Sequence, residues 1–321
     1  MIVPLKPAVV EILACPCCGA SLTRNKSELR CTNPACFSRF PVVGDVPILL
    51  NERTSTFQIN RYLTPERPGR ITALRAQARK YLPRIGANLV AKENYRQFRE
   101  LLLGNSPDPK VLVIGGAEMG AGMAELQGSS ISIIETDVVL GSRTQIICDA
   151  ATLPFVAASV DGVIIQAVLE YVMDPAVCVR EIHRVLKPGG LVYSEMPFMQ
   201  QVHGGKYDFT RLTHSGHRRL YRHFAEITSG ACAGPGMVLA WSVQQFFLGF
   251  VQLHAAREIV RLGAACSLFW LKYFDYFLIR QKGALDGASG TFFLGTKTDD
   301  VLSDQDLLKS YRGAVPTSGI V

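Results

Sequence analysis

Residues 110–122 read KVLVIGGAEMGAG. Val111, Leu112, Val113 and Ile114 are apolar without interruption, the pattern of a strand buried on both faces. Gly115, Gly116 and Gly120 come next, where glycine lets the backbone turn sharply and approach a ligand closely, and a helix is expected beyond them. In an open parallel sheet ligands bind outside the carboxyl ends of the strands, so this turn is the first candidate for a cofactor site.

Working outward, short apolar runs recur between helical stretches: ISIIETD at 131–137, TQIICDA at 144–150, VDGVIIQ at 160–166 and GLVYSEM at 190–196. That rhythm predicts an α/β fold, a doubly wound Rossmann-like sheet with helices on both faces. The second run ends in acids about twenty positions after the glycines, where a carboxylate can accept from ribose hydroxyls. An NAD-dependent enzyme fits these two features equally well, so the choice of cofactor rests on the residues downstream of residue 140.

Cys148-Asp149-Ala150-Ala151-Thr152-Leu153-Pro154-Phe155 comes after the third strand, and Ala167-Val168-Leu169-Glu170-Tyr171-Val172 after the fourth. A helix opened by Asp174-Pro175 then runs to Lys187-Pro188-Gly189-Gly190, where proline and glycine stop it and release the fifth strand. Over residues 108–230 this ordered series resembles the class I S-adenosylmethionine-dependent methyltransferases. The resemblance implies that Gly115, Gly116 and Gly120 border the methionine part of the cofactor. It makes Asp137, in preference to Glu135, the ribose acid, and Asp149 with Ala150 the adenine-flanking position. Gln166 and Ala167 would face the sulfonium. Two positions depart from the family pattern, Val113 where an acid is common and Ala117 where a glycine is common, and a degenerate, non-catalytic binding protein is the rival they motivate.

Far upstream, Cys15 and Cys18 enclose two residues, and Cys31 and Cys36 form a second pair. Two such knuckles supply four thiolates to a tetrahedral Zn²⁺, and a segment too small for a core of its own gains its folding free energy from the metal. With four protein ligands the ion is structural. Residues 8–50, which include ILACPCCGA and VGDVPILL, resemble the small zinc-ribbon domain that accompanies and activates tRNA, rRNA and protein methyltransferases.

Methyl transfer to a hydroxyl or amide needs alignment and removal of a proton. Glu170, just beyond the fourth strand, and His203, after the fifth, are the candidate catalytic groups; histidine changes charge near neutral pH. His214 and His217 read as exposed helix residues. Tyr207-Asp208-Phe209-Thr210-Arg211-Leu212-Thr213 resembles the acceptor-side segment of methyltransferases from cell-surface glycan and small-molecule pathways. The apolar, helical region at 234–288 is interrupted by Arg257, Glu258 and Arg261, which leaves no bilayer-spanning run. It reads as a helical insertion, buried on the sheet, in a homodimer interface, or lying on a membrane as a peripheral contact.

The 321 residues carry a formal net charge of +7, which suits an acidic partner without naming one. The start lacks a secretory pattern, and nine cysteines are expected to stay reduced in the cytoplasm. Residues 1–51 thus read as a zinc ribbon and 52–107 as a basic helical connector, with eleven Lys or Arg against four Glu in 51–105. Residues 108–300 read as the methyltransferase domain and 301–321 as a loosely held tail. The expected activity is S-adenosyl-L-methionine-dependent methylation of a glycan, lipid-linked or small-molecule acceptor; the ribbon and basic connector offer an RNA base as the alternative.

Overall fold

A computed structural model describes residues 7–25, 27–63 and 83–314. The helical stretch expected at 71–82, within the connector, lies outside the described residues, as do 315–321.

The chain opens with a helical turn, α1 (Pro7–Val10), and a four-stranded antiparallel meander: β1 (Leu22–Arg24), β2 (Glu28–Cys31), β3 (Arg39–Val43) and β4 (Val46–Leu49). A short helix, α2 (Asn60–Leu63), precedes α3 (Ala91–Asn105) and then β5 (Lys110–Ile114), β6 (Ser132–Asp137), β7 (Ile146–Cys148) and β8 (Val160–Gln166). Next come α4 (Pro175–Val185), β9 (Leu186–Pro197), α5 (His214–Leu220) and β10 (Phe224–Ala233). Three helices form the insertion, α6 (Pro235–Gly249), α7 (His254–Leu268) and α8 (Leu271–Leu278), before β11 (Gly290–Lys297) and α9 (Asp304–Lys309) close the chain.

The eleven strands among the described residues share one sheet in the order β1-β2-β3-β4-β7-β6-β5-β8-β9-β11-β10. From β5 the chain winds outward through β6 and β7, then returns to place β8 on the other side of β5. Strands β4 through β9 of the central sheet run parallel, while β11 is antiparallel to both β9 and β10. The strand order therefore reverses between β5 and β8, and the crevice outside their carboxyl ends is where such a sheet takes its ligand.

Period-two alternation explains why the central strands are apolar throughout. Val111 and Val113 face α3, packing with Tyr95, Phe98 and Leu102, while Leu112 and Ile114 face the other way toward Cys178, Ile182 and Val185 of α4. Helix α4 starts where the sequence says it should: Asp174 accepts from the N–H groups of Ala176 and Val177, with Pro175 in the first turn. The helix expected after the glycine turn does not form. Only a 3₁₀ turn, Met123–Leu126, stands there, and α3 covers that face of the sheet instead.

The ribbon is built into the sheet. Strand β4 pairs in parallel with β7, Ile48 opposite Ile147 and Leu49 opposite Cys148. Upstream, Ala14 N–H donates to Pro154 O (2.9 Å), and Val156 N–H donates to Ile12 O (2.9 Å). Leu13, Leu29 and Phe40 pack in the same core as Leu153 and Phe155. The tail expected to be loose is held as far as residue 314: Ser303 caps α9, Leu307 is buried, and Arg218 donates to Ser310. His214 and His217 are buried rather than exposed, because their side chains satisfy Ser229, Ser194 and Thr291 inside the fold. Among the described residues no helix is long and apolar enough to cross a membrane.

Candidate functional site

The four cysteines predicted to bind metal converge, their sulfurs all within 4.8 Å of one another. Cys15 Sγ lies 3.8 Å from Cys36 Sγ and Cys18 Sγ 3.4 Å from Cys31 Sγ. A tetrahedral zinc with Zn–S bonds of about 2.3 Å needs sulfurs roughly 3.8 Å apart, so the cluster fits that ion. The Ser38 hydroxyl beside Cys36 draws its thiol down to about 6, toward the thiolate a metal needs, whereas burial pushes the Cys15 thiol up. Cys17 is exposed and stands outside the cluster.

At the crevice, Gly115 adopts φ +82°, a left-handed conformation, and a Cβ there would lie 2.2 Å from Val168 Cγ2. Both features require glycine. A Cβ on Gly120 would meet Gln166 Oε1 at 2.0 Å, so this glycine permits the turn to settle on the end of β8. Asp137 accepts from Ala117 N–H (2.9 Å) through one oxygen and from Val139 N–H (2.8 Å) through the other, and burial pushes its carboxyl up against those hydrogen bonds. Asp149 accepts from Ser55 Oγ (2.6 Å) and from Ala151 N–H (2.9 Å). Each carboxylate oxygen offers two acceptor directions, so both acids keep capacity for ribose hydroxyls and an exocyclic amine. These acceptors therefore suit the adenosyl group. Ala150 is buried beside Asp149. Glu135, the other acid of this strand, pairs through Oε1 with Arg143, whose Nη2 lies 2.6 Å away.

Beyond β8 the backbone is strained: Ala167 has φ +53°, a conformation non-glycine residues rarely adopt and one that clusters at functional sites. Gln166 Nε2 donates to Glu195 Oε2 (2.8 Å) and to Ala121 O (3.2 Å). Glu195 is buried and also accepts from Asn88 Nδ2 (2.8 and 2.7 Å) and from the Tyr193 hydroxyl. Burial raises its carboxyl pKa, and the surrounding donors oppose the rise.

Glu170 and His203, 33 residues apart in sequence, come together: His203 Nε2 lies 4.0 Å from Glu170 Oε1. Glu170 is fully buried, and neither carboxylate oxygen has a hydrogen-bond partner among the described residues. Burial pushes its pKa up to about 7. His203 Nδ1 lies 3.1 Å from Gln201 O, and because a carbonyl only accepts, Nδ1 carries the hydrogen and Nε2 presents the lone pair. The loop is pinned: Asp208 Oδ2 accepts from the N–H groups of His203 (2.9 Å) and Gly204 (3.0 Å), and Arg211 holds the Asp208 carboxyl well below the usual range. Gly204 sits on Tyr171, where a Cβ would overlap Cε1 at 2.2 Å.

Two adjoining cavities open here. One of about 560 Å³ is lined by Ala167, Glu170, Glu195, Ala121 and Asn88. The other, of about 830 Å³, runs beneath the insertion past Glu118, Gln244, Leu248, Arg261 and Leu262. Arg84, His203 and Trp241 border both. Of the residues picked from sequence, Ala167, Glu170 and His203 thus share a cavity. Asp137 and Asp149 lie at the carboxyl ends of β6 and β7, on the other side of the glycine turn. Sequence reasoning missed Glu195 and Ser55. An acid in an otherwise apolar fifth strand, SEMP, was a signal for the first; nothing local marks the second.

The methyltransferase domain family matches residues 126–194. A UPF0434 protein from Nitrosococcus oceani is 37% identical over 49 residues, 15% of this chain and 83% of that protein. Among solved structures, a candidate sarcosine dimethylglycine methyltransferase from Galdieria sulphuraria is 14% identical with a TM-score of 0.44, covering 66% of this chain and 87% of that one. The complex of the Haloferax volcanii Trm112 methyltransferase activator with a candidate methyltransferase is 18% identical with a TM-score of 0.39, covering 73% and 100%. Fold, crevice and family match define a class I methyltransferase that uses S-adenosyl-L-methionine, with a structural zinc ribbon at its N-terminus. Through that ribbon segment the chain belongs to the UPF0434 family.

Proposed function

We propose that the enzyme methylates a hydroxyl of a glycan or lipid-linked glycan held in the cleft beneath the helical insertion. The observation that carries this reading is the buried, unpartnered Glu170 carboxyl facing His203 at 4.0 Å on the cavity wall. An amine acceptor needs no such dyad once deprotonated, whereas a hydroxyl must lose its proton as it reacts. S-adenosylmethionine supplies the electrophilic methyl group. His203 Nε2 takes the acceptor proton, and the Glu170 carboxylate stabilises the imidazolium that results. Glu195 and Asn88 hold Gln166 in line with Ala167 at the sulfonium side. Gly115, Gly116 and Gly120 receive the methionine portion, Asp137 the ribose, and Asp149 with Ala150 the adenine.

The cleft is wide and lined with hydrogen-bonding groups, Gln201, Gln244, Gln245, Arg84 and Arg261, which suits a polyhydroxylated chain better than a flat base. Four cysteines gathered as metal ligands suit a reducing, cytoplasmic setting. The test is incubation of zinc-replete enzyme with a radiolabelled methyl donor and separate glycolipid, glycan and RNA extracts. Label in a base-stable methyl ether of the glycan or glycolipid fraction supports the reading. Label in RNA, favoured by the +7 net charge, overturns it.

A further inference from the structure

Helix α8 buries Leu271 and Asp275, one turn apart, and turns Tyr273, Phe274, Tyr276 and Phe277 outward beside Trp270 at its N-cap, with Trp270 47% and Phe277 68% exposed. A helix on a soluble surface ordinarily directs polar groups outward. Here the one acid of the helix is the group turned in: Asp275 accepts from Gly236 N–H (2.7 Å) and Met237 N–H (2.9 Å) at the start of α6. The exposed charges just beyond the aromatic face, Arg280 and Lys282, are both basic. A second aromatic cluster, Phe246, Phe247 and Phe250, is exposed where α6 turns toward α7.

Exposed apolar surface of this extent marks an interaction site, and the charges select its occupant. Pairing two copies through this face would bring like charges together, whereas anionic headgroups match them. Tryptophan and tyrosine rings are suited to the headgroup level, an aromatic apolar body with a polar edge. No described helix can span a bilayer, so the contact is a surface one.

We propose that the aromatic face of α8, rimmed by Arg280 and Lys282, docks the enzyme on an anionic lipid bilayer. Helices α6 and α7 also wall the larger cavity through Trp241, Leu248, Arg261 and Leu262, so docking carries the cleft to the headgroup region. The surface is independent of the acceptor's identity, and its test reads binding, not turnover.

The full-length, zinc-replete protein is floated with phosphatidylcholine vesicles, with and without phosphatidylglycerol. The chain has two tryptophans, so Trp241→Phe leaves Trp270 as the fluorescent reporter. Flotation with the anionic vesicles only, with a blue shift of Trp270 emission, is expected. Phe274→Ser with Phe277→Ser should abolish it, and Arg280→Glu with Lys282→Glu should weaken it about tenfold or more, with unchanged circular dichroism melts. Absence of flotation by the folded protein would overturn the proposal. So would equal binding by the Ser variants, or a solution dimer that these variants dissociate, which would make a second copy the occupant.

Discussion

Ser55 donates a 2.6 Å hydrogen bond to Asp149 Oδ2, linking the segment that leaves the zinc ribbon to the acid at the end of β7. The link continues into the metal knuckle. Asn51 O accepts from Ser55 N–H (2.9 Å), and Asn51 Nδ2 donates to Pro16 O (3.3 Å) between Cys15 and Cys17. With β4 paired to β7, the ribbon thus supports the carboxyl end of the sheet where the adenine is proposed to lie. Ser55→Ala should weaken S-adenosylhomocysteine binding by about 1 kcal/mol, roughly fivefold, because Asp149 loses the group that orients it. Calorimetric titration measures this, and an unchanged dissociation constant would separate Asp149 from the ribbon.

Zinc should stabilise more than the ribbon. Because Leu13, Leu29 and Phe40 pack in one core with Leu153 and Phe155, loss of the ion exposes apolar surface of the catalytic domain. Cys31→Ser should lower zinc content and shift the main thermal transition of the whole chain downward. Metal analysis and scanning calorimetry read both. A separate early transition, with the main one unmoved, would show the ribbon to be an independent unit.

His203 is expected to act on the acceptor and not on the cofactor. Its Nδ1 hydrogen is fixed by Gln201 O and its backbone by Asp208, which leaves Nε2 on the cavity side, 4.0 Å from Glu170 Oε1. His203→Ala should lower kcat by about 10²- to 10⁴-fold, the usual range for a general base. Affinity for S-adenosylhomocysteine should stay within about twofold, since none of the contacts proposed for the cofactor is lost. A variant with normal kcat would leave His203 a loop residue.

Much of this arrangement was legible in the sequence because local chemistry dictates it. Alternating apolar runs gave β5 to β9, the Asp174-Pro175 pair gave the start of α4, and cysteine spacing gave the metal cluster. The features that could not be read depend on distant pairing. That Ser55 meets Asp149, 94 positions away, is a consequence of β4 joining β7, and no periodicity announces which edge a ribbon will choose. The missing helix after the glycine turn has the same origin, for α3 arrives from upstream and fills the face that helix would cover. His214 and His217 looked like surface residues because polarity suggests exposure, yet hydroxyls on β9, β10 and β11 satisfy them inside the fold.

Glu170 should make stability depend on pH in a direction its surroundings fix. Burial lifts its pKa from 4.5 to about 7, so the folded state holds the proton more firmly than the unfolded chain does. The resulting stabilisation is full below the unfolded value and is lost as pH rises through about 7. At 1.36 kcal/mol per pKa unit the loss is on the order of 3 kcal/mol. Glu170→Gln keeps the neutral form at every pH, so its melting temperature should match the parent near pH 4.5 and exceed it by several degrees at pH 8. Turnover should run the other way, rising in the parent as Glu170 ionises and staying low in Glu170→Gln, because only the carboxylate can stabilise the imidazolium. Parallel stability curves across this range would mean that Glu170 is ionised throughout, and the proposed dyad would lose its pH-dependent partner.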